Sequence, residues 1–297
     1  MKRALIIAAA LIAVSASAFD GTLGRYGLKE VKGDNALGIN ESAADCLDNF
    51  SWADVLGTNS PSRTSIEASY QFNPVLAGKK IANHAAVFTI EDRRGLFSGE
   101  SYTQVVYTYN TTGNYASKIE LYQGWKYNIT KYLHLDIGGN FIFTDMPVYG
   151  DFRPATLGGG CCDSGNIYFG FIGDIDYLQP FVCYQYDFGF YTSEFRAGIN
   201  PKYDFDGALD GLTVGANIFG AYVHCDNFYY MDTIKATESY WYVNAACYAE
   251  YSFTKNFYAR ACVGYSYNTS DGVKNLSAYD IGPNANVFTS FSIGYAF

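Results

Sequence analysis

From Thr64 to the C-terminus the chain alternates apolar and polar residues with a period of two, and clusters of turn-forming residues interrupt the alternation. The pattern is clearest in residues 286–297, where Val287, Thr289, Phe291, Ile293, Tyr295 and Phe297 fall on one face of a strand and Ser290, Ser292, Gly294 and Ala296 on the other. The same reading predicts strands over 64–72, 81–90, 101–109, 115–127, 132–144, 166–174, 178–187, 193–203, 211–223, 240–251, 257–267 and 286–297. No sustained 3.6-residue pattern competes with them, so the expected fold class is all-β.

The connections alternate in length. Loop 268–285 is long, turn 252–256 short, loop 224–239 long and turn 204–210 short. Loop 145–165, with Gly158-Gly159-Gly160-Cys161-Cys162-Asp163, joins the long set, while 110–114 and 188–192 are short at that same end. One end of the fold is therefore expected to carry turns and the other loops. Tyr127-Asn128-Ile129-Thr130-Lys131 and Tyr251-Ser252-Phe253-Thr254-Lys255 each close one strand and open the next, and Tyr203-Asp204-Phe205-Asp206 has a related form. An aromatic before a polar turn suits a lipid–water interface, although an ordinary hairpin turn reads the same way.

Residues 1–18 read as a secretory signal peptide: Lys2 and Arg3, an apolar run from Ala4 to Val14, then Ser15-Ala16-Ser17-Ala18 before a cleavage point at Phe19. That run is shorter than the ~20 residues of a spanning helix, which a retained anchor would need. Residues 19–63 do not follow the alternation. Asn40 could cap a short helix over 40–47, and the segment reads as a periplasmic extension, a lumen plug or an extra strand.

Alternation alone does not separate a secreted sandwich or jelly roll from a barrel in lipid; aromatic spacing favours the barrel. Trp241 and Tyr251 bracket Val243, Ala245, Cys247 and Ala249 on one face, Phe257 and Tyr267 bracket Ala259, Ala261 and Val263, and Tyr115 pairs likewise with Trp125. Ten residues rise ~33 Å along a strand, or ~23 Å after a tilt near 45°, close to the apolar height of about 25 Å in a membrane barrel. The opposite faces carry Lys118, Glu120 and Lys126; His134, Asp136 and Asn140; Glu194, Arg196, Asn200 and Lys202; Tyr242, Asn244 and Glu250; and Arg260. Such charges must meet water or one another. Gln123 departs from the scheme by falling on an apolar face, and Pro180 and Pro201 are tolerable only near strand ends.

Composition narrows the class further. The chain has 28 Tyr, 22 Phe and 30 Gly, with 16% charged residues against a usual ~25%. A net charge of -9 without any basic stripe excludes a nucleic-acid partner. The seven cysteines, Cys46, Cys161, Cys162, Cys183, Cys225, Cys247 and Cys262, are too scattered for a disulfide framework. Cys161 or Cys162 is a candidate disulfide partner of Cys225 if two long loops meet, whereas Cys183, Cys247 and Cys262 read as small apolar fillers. No metal-ligand spacing is present, and no cofactor is expected.

The signal peptide, the even strand number and the closing Phe291-Ser292-Ile293-Gly294-Tyr295-Ala296-Phe297 resemble Gram-negative outer-membrane β-barrel proteins. The resemblance covers most of residues 64–297 as a pattern and is specific to the class rather than to one family. It implies a closed, antiparallel, up-and-down transmembrane β-barrel of about twelve strands, in a range of about ten to fourteen, seated among outer-membrane lipids. It also implies that the barrel assembly machinery reads Tyr295 and Phe297 in the terminal strand. The expected function is a porin-like passive channel for small polar solutes. Lys118, Glu120, His134, Asp136, Glu194, Arg196 and Arg260 are its lumen and constriction candidates, with Arg196 and Arg260 facing Glu120 and Glu194. Tyr115, Trp125, Trp241, Tyr251, Phe257 and Tyr267 are its interface aromatics.

Two alternatives stay open. One is a structural or adhesive barrel with exposed loops and a closed lumen, because twelve strands lie between filled eight-stranded and open sixteen-stranded barrels. The other is an outer-membrane lipid hydrolase, which needs a Ser activated by a His that a third group orients. Of His84, His134 and His224, none sits in such a pattern; His134 and Asp136, two apart on the inward face, suit a lumen pair. A non-enzymatic barrel is expected.

Overall fold

The computed structural model describes residues 62–76, 78–80, 83–96, 99–111, 117–145, 163–175, 177–188, 192–225, 228–230, 234–236, 239–269 and 285–297. Its strands are β1 (Ser62–Phe72), β2 (Val75–Leu76), β3 (Lys79–Lys80), β4 (His84–Gly95), β5 (Gly99–Asn110), β6 (Ser117–Thr130), β7 (Leu133–Asp145) and β8 (Asp163–Gly173). There follow β9 (Leu178–Asp187), β10 (Thr192–Asp204), β11 (Leu212–Cys225), β12 (Phe228–Tyr230), β13 (Ile234–Ala236), β14 (Ser239–Ser252), β15 (Phe257–Asn268) and β16 (Ala285–Ala296). Twelve of them close an antiparallel barrel in the order β1-β16-β15-β14-β11-β10-β9-β8-β7-β6-β5-β4, while β2-β3 and β12-β13 form two small hairpins of their own. Pairing of β16 with β1, Phe72 opposite Thr289 and Ser65 opposite Ala296, removes the last free edge.

The period-two pattern becomes two surfaces. In β14 burial alternates residue by residue, with Trp241, Val243, Ala245 and Cys247 outward and Tyr240, Tyr242, Asn244 and Ala246 inward. Large apolar side chains stand exposed around the exterior, among them Phe141, Ile167, Trp241 and Val287, each more than half exposed. Leaving such side chains in water forgoes about 1.5–3 kcal/mol each, so this exterior is stable against hydrocarbon and not against solvent. A closed barrel satisfies the backbone there without water.

Aromatics collect at both rims. At the end holding the C-terminus, rings two residues apart are in contact: T-shaped for Tyr295 and Phe297 at 5.1 Å, Tyr251 and Phe253 at 5.0 Å and Tyr203 and Phe205 at 4.9 Å, and tilted for Trp125 and Tyr127 at 5.0 Å. At the other end Tyr70 meets Phe72 at 5.1 Å and Tyr222 meets Trp241 at 4.8 Å. The repeated aromatic-turn sequences thus form one girdle of a membrane barrel. Tyr115 lies outside the described residues, so its pairing with Trp125 does as well.

The C-terminal end carries the short connections 96–98, 131–132, 174–177, 205–211 and 253–256, and the other end carries 73–83, 111–116, 146–162, 188–191, 226–238 and 269–284. Below they are the turn end and the loop end. The structure lengthens several predicted strands, β4 the most: it runs to Gly95, beyond 90. The run Glu91-Asp92-Arg93-Arg94 has the composition of a turn, yet it continues the ladder because Glu91 and Arg93 point inward to partners and Asp92 and Arg94 point outward near the rim. The signal peptide, most of the 19–63 segment with its expected short helix, and the cysteines Cys46, Cys161 and Cys162 lie outside the described residues. So does the side chain of Cys225, and with it the candidate disulfide. Cys183 and Cys262 are buried on the inner side, and Cys247 lies on the exterior.

Candidate functional site: the lumen and its in-folded hairpin

The inner wall is polar, and its charges are grouped. Toward the turn end, Arg93 Nε lies 2.6 Å from Glu91 Oε1, and its guanidinium also reaches Glu100. Gln104 donates to Glu91 at 3.1 Å. Across the closing seam, Tyr258 donates to Glu67 at 2.6 Å, and Arg260 donates through Nε to Glu250 at 2.8 Å while its guanidinium lies over the rings of Tyr258 and Tyr248. Two groups, one joining β4 to β5 and one joining β1, β15 and β14, together line the turn end as a belt. On the adjoining wall the Tyr102 hydroxyl donates to Asp136 at 2.7 Å and meets the Tyr168 hydroxyl at 2.5 Å.

Toward the loop end the lumen is narrowed by an element the sequence reading had passed over as a loop. Hairpin β2-β3 turns inward: Pro74 is fully buried, and Val75 packs in a cluster with the inward residues Ala246, Tyr248, Cys262 and Phe288. Gly78, at φ 77°, lies so close to Tyr242 that a Cβ there would come within 2.5 Å of the Tyr242 Cβ; its carbonyl accepts a hydrogen bond from Asn268 Nδ2 at 2.8 Å. Backbone bonding of Asn73 to the Asn83 carbonyl at 2.8 Å closes the base of this excursion.

Tyr242 carries the contact onward. Its hydroxyl donates to Glu194, and Glu194 accepts from Arg196 at 2.5 and 2.8 Å, with Arg196 also over the ring of Phe219. Hairpin, Tyr242, Glu194 and Arg196 form one connected group on the inner wall.

Between these charged groups runs a set of cross-strand amides. Asn166 Nδ2 donates to Asn140 Oδ1 at 2.8 Å, and Asn217 Nδ2 to Asn200 Oδ1 at 2.5 Å. Asn140 Nδ2, Asn166 Oδ1, Asn217 Oδ1 and Asn244 Oδ1 are buried without a hydrogen-bond partner among the described residues. Buried polar atoms of this kind are satisfied by water or by a bound polar molecule.

Each residue singled out from sequence for the lumen points inward. The facing arrangement does not form as expected: Lys118 pairs with Glu120 at 3.0 Å, Arg196 with Glu194 and Arg260 with Glu250, so each charge is met on its own or the adjacent strand. Side chains two apart on a strand share a face and sit about 7 Å apart, within reach of an Arg or Lys. His134 Nδ1 lies 2.7 Å from Asn128 Oδ1, and Asp136 accepts from Tyr102. Sequence reasoning missed Glu67, Glu91, Arg93 and Glu100. The parity of β4, extended past the charge run, would have placed Glu91 and Arg93 inward.

A second surprise lies on the outer face near the loop-end rim. His224 and Ser239 are opposite one another on β11 and β14, with His224 Nδ1 2.7 Å from Ser239 Oγ. A His–Ser contact is therefore present although no local pattern announces it, because the pair is made by register and not by spacing. Gln123 is the other departure: it is indeed exposed on the outer face, where it accepts a hydrogen bond from Thr103 at 2.7 Å.

No protein-family model matches the chain, and no curated protein matches it in sequence. Among solved structures, the NanC porin is similar over 79% of this chain and 98% of its own, at 14% identity and a TM-score of 0.45. The KdgM porin covers 78% and 98% at 12% identity and a TM-score of 0.44, and LpxR from Salmonella typhimurium covers 78% and 99% at 9% identity and a TM-score of 0.49.

Proposed function

We propose that this chain is a porin-like passive channel of the outer membrane for small polar solutes. The apolar exterior, its two aromatic girdles and the division into a turn end and a loop end support placement in that membrane. The observation that carries the channel is the set of buried amide atoms without partners on the inner wall, which call for a wet lumen. Passage is set where the hairpin, Tyr242, Glu194 and Arg196 meet, with Lys118, Glu120, His134, Asp136 and Arg260 lining the path. In this reading Tyr295 and Phe297 present the terminal strand to the barrel assembly machinery, and lipids are the permanent partners of the exterior.

Planar-bilayer recording of the refolded chain tests the channel. Discrete conductance steps are expected, with ion selectivity reduced in Arg196→Ala more than in Arg260→Ala, because Arg196 stands at the constriction. Silence at high protein load would leave a closed structural barrel instead. A second reading, a lipid hydrolase at the loop-end rim, is favoured only by the His224–Ser239 contact. Phospholipid cleavage lost in both His224→Ala and Ser239→Ala would establish it in place of a purely passive barrel.

A further inference from the structure

The outer face of β1, β4, β5, β6 and β7 breaks the apolar rule along one line. Thr64 lies opposite Asp92, Asp92 opposite Thr103, Thr103 opposite Gln123, and Gln123 opposite Gly139, so five directly paired positions form a continuous row without one large apolar side chain. At about 4.8 Å per strand the row is about 19 Å long. Its members bond to each other, Thr64 donating to Asp92 at 3.0 Å and Thr103 to Gln123 at 2.7 Å, and Arg94, two residues along β4, donates to Asp92 at 2.8 Å. This row climbs from the turn-end rim into the apolar band, whereas the outward contact between Ser239 and His224 stands at the loop-end rim.

Gln123 is the decisive member. It lies on β6 two residues farther into the band than Trp125, which belongs to the turn-end girdle. Its Oε1 is used by Thr103, and no partner for its Nε2 lies among the described residues, although the side chain is exposed. Hydrocarbon offers an amide nothing, and a polar group left there is strongly disfavoured. Beside it Gly139 adds no side chain, so the row ends without a large apolar group.

We propose that this face is where the chain packs against a second copy of itself in the membrane, an inference that rests on the membrane placement above. The occupant follows from the face's own chemistry. It carries Asp92 and Arg94 side by side, the latter two-thirds exposed, and one amide holding a free donor next to oxygens that can accept. A surface with both signs and both hydrogen-bonding roles is complementary to itself, as an isologous contact between identical faces requires. Apposed copies bring the Arg94 of each to the Asp92 of the other and give each Gln123 Nε2 an oxygen.

Light scattering and sedimentation of the full refolded chain in non-ionic detergent measure the assembly, with heat-modified migration confirming that each variant is folded. The wild type is expected to have the mass of a dimer or larger. Gln123→Leu should weaken association at least tenfold, Arg94→Glu should do the same by setting acid against acid, and the swap Asp92→Arg with Arg94→Glu should restore it. A folded monomer at every concentration, or an assembly indifferent to these changes, overturns the inference while leaving the channel intact. A chain that remains soluble without detergent fails the membrane placement itself. If Arg94→Glu does not fold, Gln123→Leu decides.

Discussion

The two halves of the lumen are built on different physics. At the turn end, Arg93 and Arg260 are locked to Glu91, Glu100 and Glu250, each ion held from its own or a neighbouring strand of the wall itself. At the loop end the narrowing element is not wall at all. It is a hairpin held, among the described residues, by buried Pro74, by Val75 in its apolar cluster, by Asn268 on the Gly78 carbonyl, and by the close approach of Gly78 to Tyr242. The first half braces the barrel, since removing one ion strands its buried partner. The second half can be altered without unfolding a barrel strand, because the hairpin forms its own two-stranded sheet outside the barrel ladder. In the channel proposed above, permeability and stability would therefore be set at opposite ends.

The largest effect that separates the halves is removal of the hairpin. Replacing residues 74–82 by a short turn should raise single-channel conductance several-fold while the barrel still folds; unchanged conductance would move the constriction elsewhere. Next is Glu250→Gln, which leaves Arg260 without its carboxylate and should lower stability by about 3 kcal/mol, read as a shifted denaturant midpoint in lipid vesicles. Conductance should stay near the wild-type value, and a large change there would mean that the belt also gates. The smallest effect is that of Val75→Ala. Losing its buried methyls should weaken the hairpin's hold by about 1 kcal/mol, which multiplies the open population about fivefold and appears as more frequent flicker, with the global unfolding midpoint nearly unmoved.

The partition of faces was legible in residues 64–297, because in a strand side-chain direction is set by parity alone. Twelve strands, the outward Trp241, Val243 and Val287, and the inward Glu194, Arg196 and Arg260 all follow from counting by two. The aromatic rims were readable for the same reason: a repeated ring before a turn lands at the same height on each strand. Parity failed only where composition hid it, in the charged run at the end of β4, and was silent on connections, which carry no period. Hence residues 73–80 fell between two predicted strands as an ordinary connection, and only the structure shows them folded inward.

By itself, then, the order of apolar and polar residues determined an all-β chain with an oily outer and a hydrophilic inner surface, since that information is local and repeats every second residue. Which charges meet, that His224 faces Ser239, that a polar row joins Thr64 to Gly139, and that a hairpin closes on Tyr242 were decided only by register and closure. Those depend on how strands far apart in sequence slide against one another, and a one-residue change in that pairing would alter every contact while leaving the sequence pattern as it is.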